Sequence, residues 1–178
     1  MTPKNIAWLK LAISEASNAL HIWPLMASCE AALESAHKGI FGQSELAREG
    51  NNLFGCKQHR HPVHGTLNLP TKENLDGKVE EVEAGFVKYD TFKECFEDRM
   101  ATLKRLAPHY RHYAMALAAR DPFNYVTHVS LTWSTDPDRA QKVIEIYNEF
   151  LAQPYHVGEV EDSSPLETQM GIKINNGN

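Results

Sequence analysis

The strongest constraint on the fold is a hairpin signal that interrupts a chain of otherwise helical pattern. The dipeptide Asp76-Gly77 is typical of a tight β-turn, and Val79, Val82 and Phe86 follow it in a stretch that favours a strand. On both sides of this stretch, apolar residues recur at helical spacing. The pattern therefore predicts an α+β fold, mostly helical, with a small antiparallel β-hairpin lobe inserted between helices.

Proline and capping residues mark the starts of several predicted helices. We expect helices over about 3–20, 24–35, 45–49, 92–106, 109–120, 122–130 and 137–152. Asp136 is predicted to cap the last of these, with Pro137 at its first position. Beyond residue 152 the periodic pattern fails, so we predict a single domain over 1–152 and a C-terminal tail over 153–178.

Composition excludes several classes of protein. A hydrophobic fraction of 42% and a charged fraction of 23% are those of an ordinary globular domain. The net charge of −5 argues against a nucleic-acid partner, and no apolar run is long enough for membrane insertion. The three cysteines have no close metal-type spacing, which favours buried thiols over a disulfide.

Three short motifs, together with the hairpin, carry a family resemblance. They are residues 31–35 (AALES), 51–55 (NNLFG) and 133–137 (WSTDP), and the hairpin runs from Glu73 to Tyr89. In combination they resemble the glucosaminidase domain of glycoside hydrolase family 73, whose members cut bacterial peptidoglycan. The resemblance spans about residues 23–151 and implies a lysozyme-like arrangement of helices around the β-lobe.

The resemblance identifies two carboxylates as candidate catalytic residues. Cleavage of a glycosidic bond needs an acid to protonate the leaving oxygen and a group that supports the oxocarbenium-like transition state. The family places its general acid at Glu34, near the C-terminal end of a helix, where the dipole and apolar neighbours favour the protonated form. Glu73 corresponds to a second glutamate, as base, water-positioner or electrostatic support. Alternatively, the acetamido group of the substrate supplies the nucleophile, and Glu73 is dispensable.

The NNLFG motif is the first candidate for substrate binding. Asn51 and Asn52 offer donors and acceptors for sugar hydroxyls and acetamides, and asparagine also supports turns. We favour both roles at once. Phe54 is predicted to pack on a sugar or in the core, and Leu53 in the core.

Two further aromatic residues are candidates for sugar binding, and both depart from the family pattern. Trp133 stands where the family often has a tyrosine that borders the cleft, and the alternative for it is a buried core position. Phe41 replaces a family tryptophan, in a segment with about four extra residues after Glu34. The extra residues change the surroundings expected for Glu34.

A cluster of histidines, at His59, His61 and His64, resembles a metal site at first sight. Zinc sites want three or four ligands with supporting partners, and no partnered carboxylate pattern accompanies these histidines. We therefore predict a polar loop at the rim of the cleft, no metal and no cofactor.

The sequence as a whole predicts a peptidoglycan hydrolase, specifically an endo-β-N-acetylglucosaminidase that binds the glycan strand. The alternatives are muramidase specificity on the same fold and a non-catalytic glycan-binding or virion structural protein. The N-terminus lacks the pattern of a secretory signal. We therefore expect synthesis in the cytoplasm and delivery to the cell wall as an endolysin through a holin, on a virion or as an injected effector. The sequence leaves the oligomeric state open.

Overall fold

The computed structural model describes residues 1–58, 64–75 and 78–154, without the side chains of 72–75 and 78–80. Its elements are α1 (Pro3–Asn18), α2 (Pro24–Ser35), α3 (Glu45–Gly50), β1 (Gly65–Leu75), β2 (Lys78–Lys88), α4 (Phe92–Leu106), α5 (Arg111–Leu117), α6 (Pro122–Trp133) and α7 (Arg139–Leu151). The predicted α+β class with one antiparallel hairpin is confirmed. The predicted tail, from residue 155 onward, lies outside the described residues.

The predicted starts of α1, α2, α3, α4 and α6 are confirmed, and side-chain caps mark several of them, whereas the helix predicted from about 109 begins at Arg111. The Thr2 side chain accepts a hydrogen bond from the backbone N–H of Asn5 (3.2 Å) at the start of α1. The Asp121 carboxylate accepts one from Asn124 N–H (2.8 Å) at the start of α6. In both helices proline follows the cap residue. The N–H of a residue at this position has no acceptor within the helix, so its absence in proline costs no hydrogen bond.

The predicted start of the last helix is wrong. The helix α7 begins at Arg139 with Asp138 as its cap residue, two residues later than the pattern indicated. Asp136 instead accepts a hydrogen bond from the backbone N–H of Asp138 (3.0 Å) and pairs with Lys142 (2.7 Å). Its carboxylate thus closes a turn ahead of the helix, a local alternative to capping that aspartate readily supplies.

The hairpin is longer than the sequence indicated. Strands β1 and β2 pair antiparallel from Gly65↔Lys88 to Leu75↔Lys78, so the first strand begins well before Glu73. Pro70 lies within β1, which an edge strand tolerates because proline has no N–H to donate. The predicted turn residues 76–77 lie outside the described residues.

The described residues form two compact units, one within 2–102 and a second made of Met1 with the residues from 103 to 154. In the first unit α1 packs against α2. Its interior includes Leu9, Met26, Cys29, Leu53 and Phe96. In the second unit α6 packs against α5 and α7. Its interior includes Tyr125, Val126, Val129, Val143 and Phe150. None of the helices described is both long and apolar enough to cross a membrane.

The segment that connects α2 to α3 is a compact loop fixed to α1. The buried Asn5 side chain donates to the carbonyl of Gly39 (3.0 Å) and accepts from the N–H of Phe41 (3.2 Å). Gly42 has a positive φ of 67° and lies directly against the Trp8 indole. The extra residues after Glu34 therefore form an ordered structure rather than an open loop.

We predict that Gly42→Ala destabilises the protein more than Gly39→Ala does. Both glycines have a positive φ, so alanine at either position costs roughly 1–2 kcal/mol of backbone strain. At Gly42 the added Cβ also overlaps the Trp8 indole nitrogen, whereas at Gly39 it meets no atom within 4 Å. Urea denaturation of the two variants measures the difference, and equal losses would contradict the close Trp8 contact.

Candidate active site

Glu34 is the exposed side chain of α2. Every residue of α2 is buried except Leu33, which is half-buried, and Glu34, which is exposed. Glu34 is the penultimate residue, so the predicted position at the C-terminal end of a helix is confirmed. The side chain is exposed, and the predicted influence of its apolar neighbours stays a prediction. A buried helix thus holds one carboxylate at the surface.

A buried ion pair lies one helical turn before Glu34. Glu30, on the same helix, lies 3.4 Å (Oε1 to Nη2) from Arg99 of α4, and both side chains are fully buried. Glu30 lies one turn before Glu34 on the same helix, so the pair joins this part of α2 to α4. The sequence analysis did not predict this ion pair. The signal that indicates it is the charge of Glu30 among the small and apolar residues of α2.

Asn51 and Asn52 join the end of α3 to the end of β2. Asn51 adopts the left-handed conformation (φ 48°) that ends α3, and its side chain donates to the carbonyls of Tyr89 and Asp90, each at 3.0 Å. Asn52 is 1% exposed; its Nδ2 donates to the carbonyls of Cys56 and Val87 (2.8 Å each). Its Oδ1 accepts from the N–H of Cys56 (2.9 Å). The predicted turn-supporting role is therefore present, and contact with sugar stays a prediction.

Phe54 lies in the interior of the first unit. It is 3% exposed, its ring contacts Phe96 edge to face with the centroids 5.5 Å apart, and the Arg99 guanidinium lies 4.9 Å from its centroid. These contacts agree with the predicted core role of Phe54, and its packing on a sugar stays a prediction. Leu53 is fully buried, which confirms its predicted core position.

Phe41 takes part in an aromatic cluster with α1. Its half-buried ring meets Trp8 edge to face, with the centroids 6.0 Å apart. The Trp8 ring also contacts Phe92 at 6.1 Å. A sugar-binding role for Phe41 stays a prediction. Trp8 was missed from the sequence, where it lies among the other apolar residues of an amphipathic helix.

The second predicted carboxylate, Glu73, lies on β1, where its backbone pairs with Glu80 of β2. Its side chain falls outside the described part of the structure, so its direction and its relation to Glu34 stay predictions. Trp133 is the last residue of α6 and is half-buried, and its sugar-binding role also stays a prediction.

Of the histidine cluster, His59 and His61 lie outside the described residues. The ring of His64 contacts that of Tyr89, with the centroids 5.1 Å apart, and its Nδ1 lies 3.8 Å from Glu94 Oε2. His64 therefore lies beside the C-terminal end of the hairpin. The absence of a metal stays a prediction.

The three cysteines are buried free thiols, as predicted. Burial raises the pKa of Cys29, Cys56 and Cys95 above that of an ordinary thiol. The thiolate is the reactive form of cysteine, so these side chains stay protonated at neutral pH and do not serve as nucleophiles.

Comparison with known proteins decides the family. The glucosaminidase family model, described as mannosyl-glycoprotein endo-β-N-acetylglucosaminidase, matches residues 10–151. The chain belongs to the glucosaminidase family. This membership confirms the resemblance that the sequence motifs carried.

One curated relative and two solved structures are similar to this glucosaminidase-family chain. Exo-glucosaminidase LytG of Bacillus subtilis is 31% identical over 147 residues, which is 82% of this chain and 48% of the relative. The chain thus spans about half the length of that protein.

The solved structures confirm the lysozyme-like fold. The catalytic domain of the autolysin Auto from Listeria monocytogenes superposes with a TM-score of 0.69 at 23% identity, covering 85% of this chain and 87% of that one. A truncated glycoside hydrolase domain of FlgJ from Salmonella typhimurium gives a TM-score of 0.61 at 25% identity, with coverages of 84% and 98%.

We predict that Asn52→Ala lowers the free energy of unfolding by about 1–3 kcal/mol, because it leaves buried backbone groups of Cys56 and Val87 without their partner. Asn148→Ala is the matched control: Asn148 is exposed on α7 and its loss changes stability by roughly 0.5 kcal/mol or less. Chemical denaturation measures both. Similar small changes in the two variants would contradict a supporting role for Asn52.

Proposed function

We propose that this chain is a peptidoglycan hydrolase that cleaves β-1,4 bonds of the glycan strand. We assign it as an endo-β-N-acetylglucosaminidase, with Glu34 as the general acid. Membership of the glucosaminidase family supports the reaction class, and the names of the similar proteins LytG and Auto, an exo-glucosaminidase and an autolysin, agree with it.

The observation that carries the proposal is the position of Glu34. A general acid must reach the leaving oxygen of a polymer, so its carboxyl has to be accessible from outside the domain. It must also be held steadily, because small displacements of a catalytic group cost rate. Glu34 meets the first need because it is the exposed side chain of α2, and the second because the rest of α2 is buried or half-buried and the Glu30–Arg99 pair ties the helix to α4.

The hairpin supplies the second part of the proposed site. Glu73 lies on an edge strand, paired in the backbone with Glu80. In the proposed reaction Glu34 protonates the departing sugar oxygen, and Glu73 supports the positive charge that develops on the ring or directs water to it. The substrate acetamido group can share the second task, so the reaction depends less on Glu73 than on Glu34.

Glu34→Gln is predicted to lower the rate of cell-wall cleavage by about 10²–10⁴, because the amide cannot donate the proton. The amide keeps the size and exposure of the side chain, so the melting temperature should stay close to that of the wild type. The measurement is the initial rate of release of new reducing ends from purified walls.

Glu49→Gln is the control for this experiment, since Glu49 is an exposed glutamate of α3. It should retain wild-type activity. Clearance by the Glu34→Gln variant at more than about a tenth of the wild-type rate would remove Glu34 from the role of acid. Mass spectrometry of the wild-type digest identifies the bond, because a new reducing end on N-acetylmuramic acid would instead show muramidase specificity.

Glu73→Gln is predicted to reduce the rate less than Glu34→Gln does, because water and the substrate acetamide can take over part of its task. Both variants are compared on the same wall preparation. An equal or larger loss at Glu73 would reverse the ranking of the two carboxylates, and an unchanged rate would make Glu73 a surface residue of the hairpin.

A further inference from the structure

The turn His37–Ile40, which we call the basic turn, follows Glu34 in the segment of extra residues. We propose that this turn is a cationic subsite for carboxylate groups that the glycan strand carries close to the bond being cut. The proposal rests on the proposed function and adds a determinant of substrate choice to it.

The backbone of the basic turn is tightly defined. His37 and Ile40 exchange two backbone hydrogen bonds, each of 3.0 Å. The two central residues have positive φ angles, 50° at Lys38 and 77° at Gly39, as in the primed turns that close β-hairpins. Asparagine or glycine adopts this conformation more readily than lysine. A lysine held at such a position despite the strain points to a use for its side chain.

Buried polar side chains hold the basic turn in place by hydrogen bonds. Asn5, 6% exposed, binds the carbonyl of Gly39 and the N–H of Phe41. The hydroxyl of Ser35, fully buried, accepts from the N–H of Gly42 (3.0 Å). Because Ser35 is the residue next to Glu34, the turn and the proposed acid share one rigid support. A ligand that meets the turn therefore meets groups that are already ordered, which lowers the cost of binding.

The charge of the turn is opposite to that of the protein. His37 and Lys38 are exposed, and residues 35–43 contain no acidic residue, in a chain with a net charge of −5. No ion pair found within the described part of the chain involves Lys38. Lys38 lies four positions after Glu34, so their Cα atoms are at most about 14 Å apart. The backbone of Lys38, whose ammonium group has no ion-pair partner among the described residues, thus lies close to that of the proposed acid.

Carboxylates are the ligands that this charge fits. In peptidoglycan every second sugar carries a lactyl group, which ends either in its own carboxylate or in a peptide that bears carboxylates. An ammonium group donates charge-assisted hydrogen bonds to such oxygens. The overall negative charge gives the protein no general attraction to an anionic wall. Recognition of the carboxylates therefore needs a local cation beside the bond being cut, and Lys38 supplies one.

The test compares three forms of one substrate. These are purified walls, the same walls with their carboxylates converted to amides by carbodiimide and ammonia, and glycan strands freed of peptides by an amidase. Lys38→Asn removes the charge and keeps a residue that accepts a positive φ, while Lys38→Arg keeps the charge. Lys104→Ala, an exposed lysine of α4, controls for the loss of one positive charge.

On unmodified walls Lys38→Asn should raise KM by about threefold to fivefold, the size expected of one exposed ion pair, with little change in kcat. Lys38→Arg and Lys104→Ala should keep the wild-type KM. On amidated walls the wild type and Lys38→Asn should have the same KM. Removal of the peptides leaves each lactyl group with a free carboxylate, so a persisting effect on peptide-free strands shows that the subsite accepts this carboxylate, and a lost effect assigns the peptide carboxylates as the ligand.

Two results would overturn the subsite. One is a wild-type KM for Lys38→Asn on unmodified walls, and the other is an equal rise in KM on amidated walls. In both cases the wild type still releases reducing ends, so the proposed function stands. A wild type that releases none from any substrate would remove the proposed function and the subsite together.

Discussion

The buried ion pair between Glu30 and Arg99 is the interaction on which the arrangement of the first unit depends. A charge without a partner in the interior is strongly unfavourable, and breaking such a pair by removing one member costs about 3–5 kcal/mol. Arg99 also covers the ring of Phe54, so one guanidinium connects α2, α4 and the NNLFG motif. Apolar residues can fill the same space with equal stability. Our interpretation is that the pair fixes the rotation of α2, and with it the direction in which Glu34 projects.

The fold could be predicted largely because its helix starts and its hairpin are encoded locally. Thr2, Pro24 and Asp121 each act on the few residues that follow them, so a pattern in the sequence is enough to place α1, α2 and α6. Asp136 shows where this reasoning fails. Its carboxylate can accept a hydrogen bond either at the start of the helix or in the turn before it, and the sequence does not show which bond forms.

The length of the first strand was harder to predict for a different reason. Residues from Gly65 onward alternate polar and apolar side chains only over 66–69 and then carry Pro70, so the pattern alone does not predict a strand as long as β1. Their conformation comes from pairing with β2, whose side chains form the stronger pattern. Such a partner-dependent strand is visible only when both strands are in place.

The sequence predicts candidate site residues where they lie in a recognisable motif. It does not predict contacts between residues that are far apart in the chain. Glu34 follows from the motif that surrounds it. The contacts of Asn5 with Gly39 and of Glu30 with Arg99 join residues 34 and 69 positions apart, and no local pattern connects them. The motif around Asn52 suggested a ligand-binding amide, whereas its burial depends on backbone groups of β2 that the motif does not contain.

The three buried thiols have a practical consequence for the study of motion in this domain. Because they are inaccessible and protonated at neutral pH, maleimide and methanethiosulfonate reagents should bypass them in the native state. Cysteines introduced at the exposed positions Arg48 on α3 and Thr66 on β1 could then carry a pair of spin labels without removal of the natural residues. Distance distributions between the labels would show whether the separation between the hairpin and α3 changes when glycan strands are added.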